Sequence, residues 1–418
     1  MQPASSSPST TPVAPSVAPR RRRGWWLVGG LLASVALAAW PARAAYLGHL
    51  ESRCRAALQA QDWPALEQAA AQWTRWQPQR AAPWMFAAQA AHEQERDDLA
   101  VEYLGQVPPR DPQAPLALLE RSNLQFGALN RPLDGAASCR RALELNPTLV
   151  EGYRRLVFFY AYTLQRRKLV ALIHDAIEWE CDLPETYLYL VGQDWMSFSN
   201  GYDENTHWMR GARDEELFLV ARAIFRVSSQ ALDEEAEKEK LPGVSEDEMP
   251  YHLQILTQYL EKYPQNLEIL AYFLKRASKE GDVPRVTQLL AQAPSDSAHD
   301  HRFWRYQGWL QEAREELPQA ENSYRKCLEL NPYDHIAQHQ LAGVLRLQGK
   351  LDDVERLERL YQDGRVLRRE ILTLPNVTQA PRPLMWKVAT HIANCGQAEV
   401  AQQLTRRLQT LDRLAPHP

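Results

Sequence analysis

Hydrophobic positions recur with a helical period along most of the chain. Between residues 317 and 328, apolar or small residues stand at positions i, i+3, i+7, i+10 and i+11, namely Leu317, Ala320, Tyr324, Cys327 and Leu328. Positions with this spacing share one face of an α-helix. The preceding stretch, 303–314, carries a similar stripe. The pattern therefore predicts pairs of helices, each of about a dozen residues, joined by short turns.

Prolines divide this helical pattern at regular distances. Pro78, Pro112 and Pro147 are 34 and 35 residues apart, and Pro264 and Pro332 are separated by 68, twice that distance. Proline beyond a helix end cannot continue the helix, so these residues mark breaks. The stretches that end at Pro147 and Pro332 are RRALELNP and RKCLELNP, identical at six of eight positions. Because one helix pair cannot bury its own apolar face, repeated pairs predict a stacked solenoid.

These units resemble the tetratricopeptide repeat family. In the stretch 301–334 the matching residues are Trp304, Gly308, Ala320, Tyr324, Cys327 and Pro332. In the stretch 81–114 they are Trp84, Ala88, Ala100, Leu104 and Pro112. The resemblance implies an all-α fold, a right-handed superhelical solenoid of antiparallel helix pairs. We expect one transmembrane helix to precede it. The resemblance covers residues 47–180 and 252–414, with about eight repeats.

The chain is expected to have five parts. They are a disordered Pro/Ser/Thr-rich tail (1–19), an arginine cluster with a transmembrane signal anchor (20–44), an N-terminal repeat block (45–184), an irregular extended repeat or insertion (185–250) and a C-terminal repeat block with capping helices (251–418). The middle is irregular because the two similar stretches lie 185 residues apart, which exceeds five units of 34. Its acidic residues at 233–240 and 246–248 predict a lengthened helix that ends in a solvated loop. An insertion that contacts a partner is the alternative.

An uncharged apolar run follows four arginines near the N-terminus. Residues 20–23 are all arginine, and 24–40 contain no charged residue. As a helix, such a run spans roughly 26 Å, close to the thickness of the bilayer hydrocarbon core. Tryptophans at both of its ends are placed as an aromatic belt would be. We therefore expect a single-pass anchor in the cytoplasmic (inner) membrane through residues 24–42, with the N-terminus inside and the repeats extracytoplasmic.

A cleaved secretory signal is the alternative for the same segment. Ala42, Arg43 and Ala44 roughly fit a small-x-small cleavage site. Cleavage there would release a soluble exported binding protein. Both hypotheses place the repeats outside the cytoplasm.

Composition and charge narrow the range of partners. The 418 residues include 48 Lys and Arg against 52 Asp and Glu, a net charge of −4. A chain so near neutrality lacks the positive field of a nucleic-acid binder, so no nucleic-acid partner is expected. Five scattered cysteines fit neither a disulfide scaffold nor a zinc site. Cys54, Cys139 and Cys327 are interpreted as small core residues, with a pairing of Cys139 and Cys181 left open.

Motifs for catalysis and cofactor binding are missing from the sequence. It contains no G-x-S-x-G, no G-x-x-x-x-G-K-[ST] and no C-x-x-C-H. We therefore predict no catalysis, no cofactor and no metal. The Asp and His residues of 296–301 are interpreted as a solvated turn between repeats. An enzyme with a site at Asp203, Glu204 and His207, in the irregular middle, is the alternative hypothesis.

The concave face of the solenoid is the remaining candidate site. The resemblance places the first helix of each pair there, where arginines mix with aromatic residues, the composition of binding hot spots. The predicted partner-binding residues are Arg121, Arg154, Arg155, Phe158, Tyr162, Arg302, Arg305, Tyr306 and Trp309. The alternative is that the aromatic residues are buried between units and the arginines merely solvated. We expect a membrane-anchored, non-catalytic scaffold that binds protein or peptide partners.

Overall fold

The structure is a computed structural model that describes residues 23–194, 200–237 and 249–414. The predicted tail at 1–19 and residues 238–248 of the acidic segment lie outside these ranges. All regular structure in the described residues is helical, and none of them forms a β-strand. The chain divides into two compact units, residues 1–96 and 97–418. The prediction of an all-α fold is confirmed.

Unit 1, residues 1–96, contains three helices. They are α1 (Arg23–Gln59), α2 (Trp63–Trp76) and α3 (Ala81–His92). The side chain of Asp62 accepts a hydrogen bond from the N–H of Ala65 at 3.0 Å, which starts α2 because it satisfies a free backbone donor. Within the described part of the chain, no helix is both long and apolar enough to cross a membrane.

Unit 2, residues 97–418, contains the other helices. They are α4 (Asp97–Gly105), α5 (Ala114–Phe126), α6 (Pro132–Leu145), α7 (Val150–Tyr162), α8 (Arg166–Glu178), α9 (Thr186–Val191), α10 (Asn200–Trp208), α11 (Glu216–Glu237), α12 (Met249–Lys262), α13 (Leu267–Glu280), α14 (Val283–Gln292), α15 (His301–Ala313), α16 (Leu317–Leu330), α17 (His335–Leu347), α18 (Val354–Leu372), α19 (Arg382–Asn394) and α20 (Ala398–Leu414). Two 3-10 helices, Ser295–His299 and Val377–Gln379, precede α15 and α19.

A residue with a positive φ angle, in the left-handed region of backbone conformation, recurs in the turns between helices. These residues are Gln61, Glu95, Asn130, Leu164, Gly281, Glu315, Gly349 and Gly396, with φ between 49° and 86°. The first four are 34, 35 and 34 residues apart, and the three from Gly281 to Gly349 are 34 apart. Each reverses the chain between an odd-numbered helix and the next. The described residues thus hold eight such turns, and the spacing of 34 or 35 residues within the two sets matches the predicted repeat length. A further left-handed residue, Glu180, follows α8.

The two similar proline-containing stretches adopt the same turn. Pro147 and Pro332 each follow an asparagine that ends a helix, α6 and α16 respectively. The Oδ1 atom of Asn331 accepts the N–H of Tyr333 at 3.2 Å. The equivalent bond from Thr148 to Asn146 is 3.0 Å long. The prolines therefore lie just beyond helix ends, as predicted.

Trp84 and Trp304 make the same contact in two different repeats. The indole N–H of Trp304 donates to the carbonyl of Ala298 at 2.9 Å, and that of Trp84 donates to the carbonyl of Pro78 at 3.0 Å. Both acceptors lie six residues before the tryptophan. This shared geometry shows that the stretches 81–114 and 301–334 are in the same structural phase.

Close packing of α15 against α16 depends on a glycine. A Cβ atom added at Gly308 would lie 2.6 Å from the ring of Tyr324, whose side chain is fully buried. Ala320 and Cys327 on α16 are also fully buried. Cys54 on α1 and Cys139 on α6 are also fully buried, which confirms their interpretation as core residues. Cys139 and Cys181 are both free thiols.

The irregular middle of the chain forms the centre of unit 2. Every residue of α9 is buried, as expected for a helix that is apolar on all sides. α9 contacts α19, which lies about two hundred residues later in the chain. The side chain of Gln403 on α20 donates to Asp182, just before α9, at 2.8 Å. The C-terminal helices therefore pack back onto the middle segment. α11, with 22 residues, is the lengthened helix that the sequence predicts.

A buried histidine lies in this C-terminal region. His391 on α19 is 2% exposed, and its Nδ1 atom has no hydrogen-bond partner among the described residues. Its Nε2 atom lies 3.6 Å from the Sγ atom of Cys395. Burial lowers the pKa of His391 to about 4, and Asp363 only partly compensates. The folded protein therefore holds this imidazole neutral.

Replacement of Gly308 tests the close approach of α15 and α16. We expect Gly308→Ala to lower the free energy of unfolding by about 1–3 kcal/mol, because its methyl group collides with Tyr324. Gly343→Ala is the matched control, since Gly343 also lies inside a helix but its added Cβ meets nothing within 4 Å. This control should raise stability by about 0.5–1 kcal/mol. Urea unfolding followed by circular dichroism measures both. Equal effects would contradict the proposed contact.

The buried imidazole predicts a pH dependence of stability. Since the folded pKa of His391 is about 4 and the unfolded value is near 6.5, the unfolded chain binds more protons between these values. The free energy of unfolding should keep its full value above pH 6.5 and fall by roughly 3 kcal/mol as the pH drops towards 4. His391→Gln should flatten this slope. His339→Gln, at an exposed histidine, should keep it. An unchanged slope in His391→Gln would show that another group titrates.

Candidate partner-binding site

The predicted binding residues lie on both sides of one buried segment of unit 2. This central segment, residues 186–194, comprises α9 and the turn that follows it. Phe158 on α7 packs edge-to-face on Tyr189, with ring centroids 6.4 Å apart. Arg305 on α15 bonds to Asp194 at the other end of the segment. The structure therefore brings members of the two predicted groups to the same part of the protein.

Among the five N-terminal residues, only Arg154 is largely exposed. Arg154 and Arg155 both bond to Glu151, each at 2.9 Å. Phe158 and Tyr162 are half-buried, with ring centroids 5.9 Å apart, and pack against the core. Arg121 is half-buried beside Gly105. The partner-binding role of these residues stays a prediction.

The C-terminal group is much more buried than the sequence suggested. Arg302, Arg305 and Tyr306 are 5–6% exposed, and Trp309 is half-buried against the core. The expectation of an exposed arginine and aromatic surface is wrong for the first three, because carboxylates from other elements cover the guanidinium groups. The interpretation of 296–301 as a solvated turn is also wrong at its end. Asp296 and His299 are exposed, but Asp300 and His301 are buried.

Arg305 bridges two buried carboxylates. Its Nη1 atom donates to Asp194 and, at 2.5 Å, to Asp334. The Nε2 atom of His301 lies 2.5 Å from the other oxygen of Asp194. Burial alone would raise the pKa of Asp194, but Arg305 and His301 outweigh it and hold that pKa well below its usual range. Because an ionised carboxylate only accepts hydrogen bonds, Nε2 of His301 carries a proton.

Arg302 forms a second network one turn away. Its guanidinium donates to Asp300 and Glu268, each at 2.6 Å. Glu268 also accepts two bonds of 3.1 Å from Nε of Arg166, at the start of α8. Burial opposes ionisation of Asp300, yet Arg302 lowers its pKa to about 2. These bonds connect α13 and α15 to α8, which lies more than 100 positions earlier in the chain.

The ligand atoms of Asp194, His301 and Asp334 lie within 4.8 Å of one another. Two carboxylates and an imidazole are donors that divalent metal ions accept. The guanidinium of Arg305, however, already supplies the positive charge between both carboxylates. A metal ion would have to displace this arginine, so the donor set is a salt-bridge network as it stands.

An open cleft of about 910 Å³ lies beside these networks. Its walls are the start of α8, the starts of α13 and α15, and the 3-10 helix before α15. Its charged residues are Arg166, Arg167, Lys168, Glu216, Glu268, Asp296 and Asp300, with His299 and His301 beside them. Arg167 bonds to Asp296 across the cleft at 2.5 Å, and both side chains are about half exposed. Val170, Ala171 and Leu330 add apolar surface.

The alternative catalytic residues occupy a separate helix. Asp203, Glu204 and His207 all lie on α10, where Asp203 and His207 are exposed and Glu204 is half-buried. The carbonyl of His207 accepts a bond from Asn130 at 2.9 Å. None of the three lines the cleft.

Several site residues escaped the sequence analysis. Asp300 and Asp334 directly precede helices and cap them, a pattern that is visible in sequence. Asp194 follows a short apolar run without a helical period, and its partner Arg305 is 111 residues away. Neither Glu268 nor Arg166 shows a spacing that relates one to the other.

Comparisons with known proteins concern the fold only. No protein-family model matches the chain, and no curated protein matches it. A tetratricopeptide repeat protein from Parabacteroides merdae is 11% identical, with 72% of this chain and 98% of that chain covered and a TM-score of 0.27. The APC/C hetero-tetramer Cut9–Hcn1 is 14% identical, with 89% and 80% covered and a TM-score of 0.29. The human IFIT1 dimer with m7Gppp-AAAA is 14% identical, with 88% of this chain and 75% of that chain covered and a TM-score of 0.32. Likeness this low assigns neither family nor function.

Removal of Arg305 tests the central salt bridges. We expect Arg305→Met to lower the free energy of unfolding by about 3–5 kcal/mol, because two buried carboxylates lose their cation. Arg346→Met is the matched control, since the Arg346–Glu358 pair is exposed and such pairs contribute about 0–1 kcal/mol. Urea unfolding at neutral pH measures both variants. Similar small losses would mean that Arg305 contributes no more than a surface charge.

Proposed function

We propose that this protein is a membrane-anchored, non-catalytic scaffold of the tetratricopeptide repeat type that binds protein or peptide partners. Residues 24–42 hold it in the inner membrane, with the N-terminus inside and the repeats on the extracytoplasmic side. The cleft at the starts of α8, α13 and α15 is the proposed binding site. It replaces the wider concave face of the sequence hypothesis, because Arg302, Arg305 and Tyr306 of that predicted face are buried.

The cleft supports this proposal because salt bridges fix its inner polar side chains while the side chains at its edge are exposed to solvent. Salt bridges hold Arg166, Glu268 and Arg302 in place, so little side-chain entropy is lost when a partner binds. Arg167 and Lys168 remain exposed at the edge. Charged groups of both signs beside apolar surface suit an extended peptide, which offers backbone, charged and apolar groups together.

The charge of the cleft favours peptide over nucleic acid. Three basic side chains, Arg166, Arg167 and Lys168, face four acidic ones at Glu216, Glu268, Asp296 and Asp300. A polyanion would meet repulsion from these carboxylates, whereas nucleic-acid sites concentrate positive charge along the phosphates. A peptide with charges of both signs meets no such penalty.

Two buried carboxylates, Asp300 in the cleft and Asp194 beside it, support a non-catalytic role. A general acid or base works best when its pKa lies near the working pH. Asp300 has a pKa of about 2 and stays ionised against Arg302, and Asp194 is likewise held ionised. Such groups act as fixed charges. They position partners and neighbouring side chains rather than exchange protons.

The course of α1 supports the membrane anchor. One helix runs from Arg23 to Gln59, so the uncharged segment 24–40 and the first repeat share a continuous backbone. Ala44, next to the alternative cleavage site, lies inside this helix rather than in an exposed loop. An anchor of this kind would hold the repeats close to the bilayer.

Selection from a displayed library of random peptides tests the binding site. We expect the full-length protein to enrich peptides whose affinity falls at least tenfold, about 1.4 kcal/mol, in Arg167→Glu/Lys168→Glu. The reason is that the two exposed cations at the cleft edge become anions. Fluorescence anisotropy with the enriched peptides measures the affinity.

Arg141→Glu/Lys326→Glu is the control for this experiment. Both residues are exposed on second helices of repeats, and each pairs with a glutamate three positions on. The control should bind like the wild type. Enriched peptides that bind equally to both double variants would move the site elsewhere, and failure to enrich any peptide would count against a peptide-binding scaffold.

A further inference from the structure

One end of unit 1 combines exposed aromatic rings with arginines. Tyr46 on α1 and Trp76, the last residue of α2, meet edge-to-face with ring centroids 5.4 Å apart. Trp76 is 49% exposed, and Trp40, about two turns earlier on α1, is 80% exposed. Large aromatic rings that point into solvent without covering a core indicate a surface that binds something. We call this the aromatic end of unit 1.

The aromatic end carries positive charge alone. Residues 24–50 and 68–92, which meet at the Tyr46–Trp76 contact, contain no Asp or Glu. Arg43, Arg75 and Arg80 lie in these two stretches, and all three are exposed. None of them forms an ion pair with another described residue, whereas most arginines of unit 2 do. These three cations are therefore available to an external anion.

The opposite end of unit 1 carries charges of both signs, with acidic residues in excess. The turn between α1 and α2 holds Asp62, and the turn after α3 holds Glu93 and Glu95. Glu67, in the second turn of α2, pairs with Arg96 there at 2.5 Å. The 14 residues of α2 separate the two ends by roughly 21 Å. The acidic residues of the described part of unit 1 are therefore confined to 51–67 and 93–95, whereas the aromatic end carries basic residues only.

The aromatic end also lies next to the uncharged segment of α1. Tyr46 is six residues beyond Trp40, which corresponds to roughly 9 Å along one helix. The polar layer on each side of a bilayer is roughly 5–8 Å thick. If Trp40 lies at the hydrocarbon boundary, Tyr46 and Trp76 reach the outer side of the lipid headgroups.

We infer that the aromatic end of unit 1 binds the headgroup surface of an anionic bilayer, as a second membrane contact beyond the anchor. This inference rests on the proposed attachment of α1 to a membrane. Tryptophan and tyrosine rings suit the boundary between apolar and wet layers, and the three arginines bind lipid phosphates. The contact fixes the direction in which the helices leave the membrane, with the acidic end pointing away from it.

Site-directed fluorescence with the full-length protein in vesicles tests this surface. Gln79→Cys, in the turn after α2, reports on the aromatic end, and Ala60→Cys, in the turn after α1, reports on the acidic end; both positions are exposed. Four of the five native cysteines are buried, so a thiol-reactive fluorophore labels the new sites preferentially. Vesicles of phosphatidylcholine with or without phosphatidylglycerol carry a headgroup nitroxide as quencher. We expect strong quenching at residue 79, little at residue 60, and a larger difference with the anionic lipid.

Charge variants test the role of the arginines. Arg43→Gln/Arg75→Gln/Arg80→Gln should lower quenching at residue 79 in anionic vesicles, because each arginine near the surface contributes about fivefold to binding. Arg141→Gln/Arg276→Gln/Arg359→Gln is the control, since it changes net charge equally at exposed positions of unit 2. Trp76→Ala should weaken quenching in both kinds of vesicle.

The outcomes separate this inference from the proposed anchor. Alkaline carbonate extraction of the same vesicles reports whether the chain is integrated in the bilayer. If the protein resists extraction but residues 79 and 60 are quenched equally, or both remain unquenched, the surface contact is refuted and the anchor stands. If carbonate releases the protein while quenching at residue 79 still depends on anionic lipid and the three arginines, the contact stands and the anchor fails.

Discussion

The guanidinium of Arg305, held between two buried carboxylates, organises the centre of unit 2. Asp194 belongs to the middle of the chain and Asp334 to the first turn of a C-terminal repeat, so one cation joins both halves. Ionised groups in the interior are tolerated only when paired, and here each charge has its counterpart. The cleft owes its shape to the neighbouring network of Arg166, Glu268 and Arg302, because α8, α13 and α15 can move apart only by separating those charges.

Local structure was predictable because it depends on short-range rules. A proline beyond a helix end, a capping asparagine and a stripe of small residues each act within one turn, and they repeat every 34 residues. The residues at Gly308, Tyr324 and Cys327 therefore appear where the repeat pattern requires them. Each of the eight helix reversals contains a residue in the left-handed region, which is a common way for a helix to end.

The candidate site was only partly predictable, for the reason that long-range contacts leave no periodic trace. The repeat pattern predicted an open face for Arg302, Arg305 and Tyr306, whereas the structure buries all three. Asp194, which pairs with Arg305, lies in the irregular middle, where the repeat pattern fails. No spacing relates Asp194 to Arg305 or Glu268 to Arg166, so burial of the arginines follows only from the three-dimensional arrangement.

The left-handed turn residues differ in kind along the molecule. Residues 61, 95, 130 and 164 are not glycine, whereas three of the four in the C-terminal block, 281, 349 and 396, are; the fourth is Glu315. A residue with a Cβ atom loses roughly 1–2 kcal/mol in this conformation, and glycine does not. Three of the four hairpins of the C-terminal block therefore close at lower local cost. In a stack of helix pairs, folding can start at any pair that is stable enough and then extend to its neighbours. Folding is therefore expected to start near α17–α20 and to extend towards the N-terminus, where local unfolding begins first.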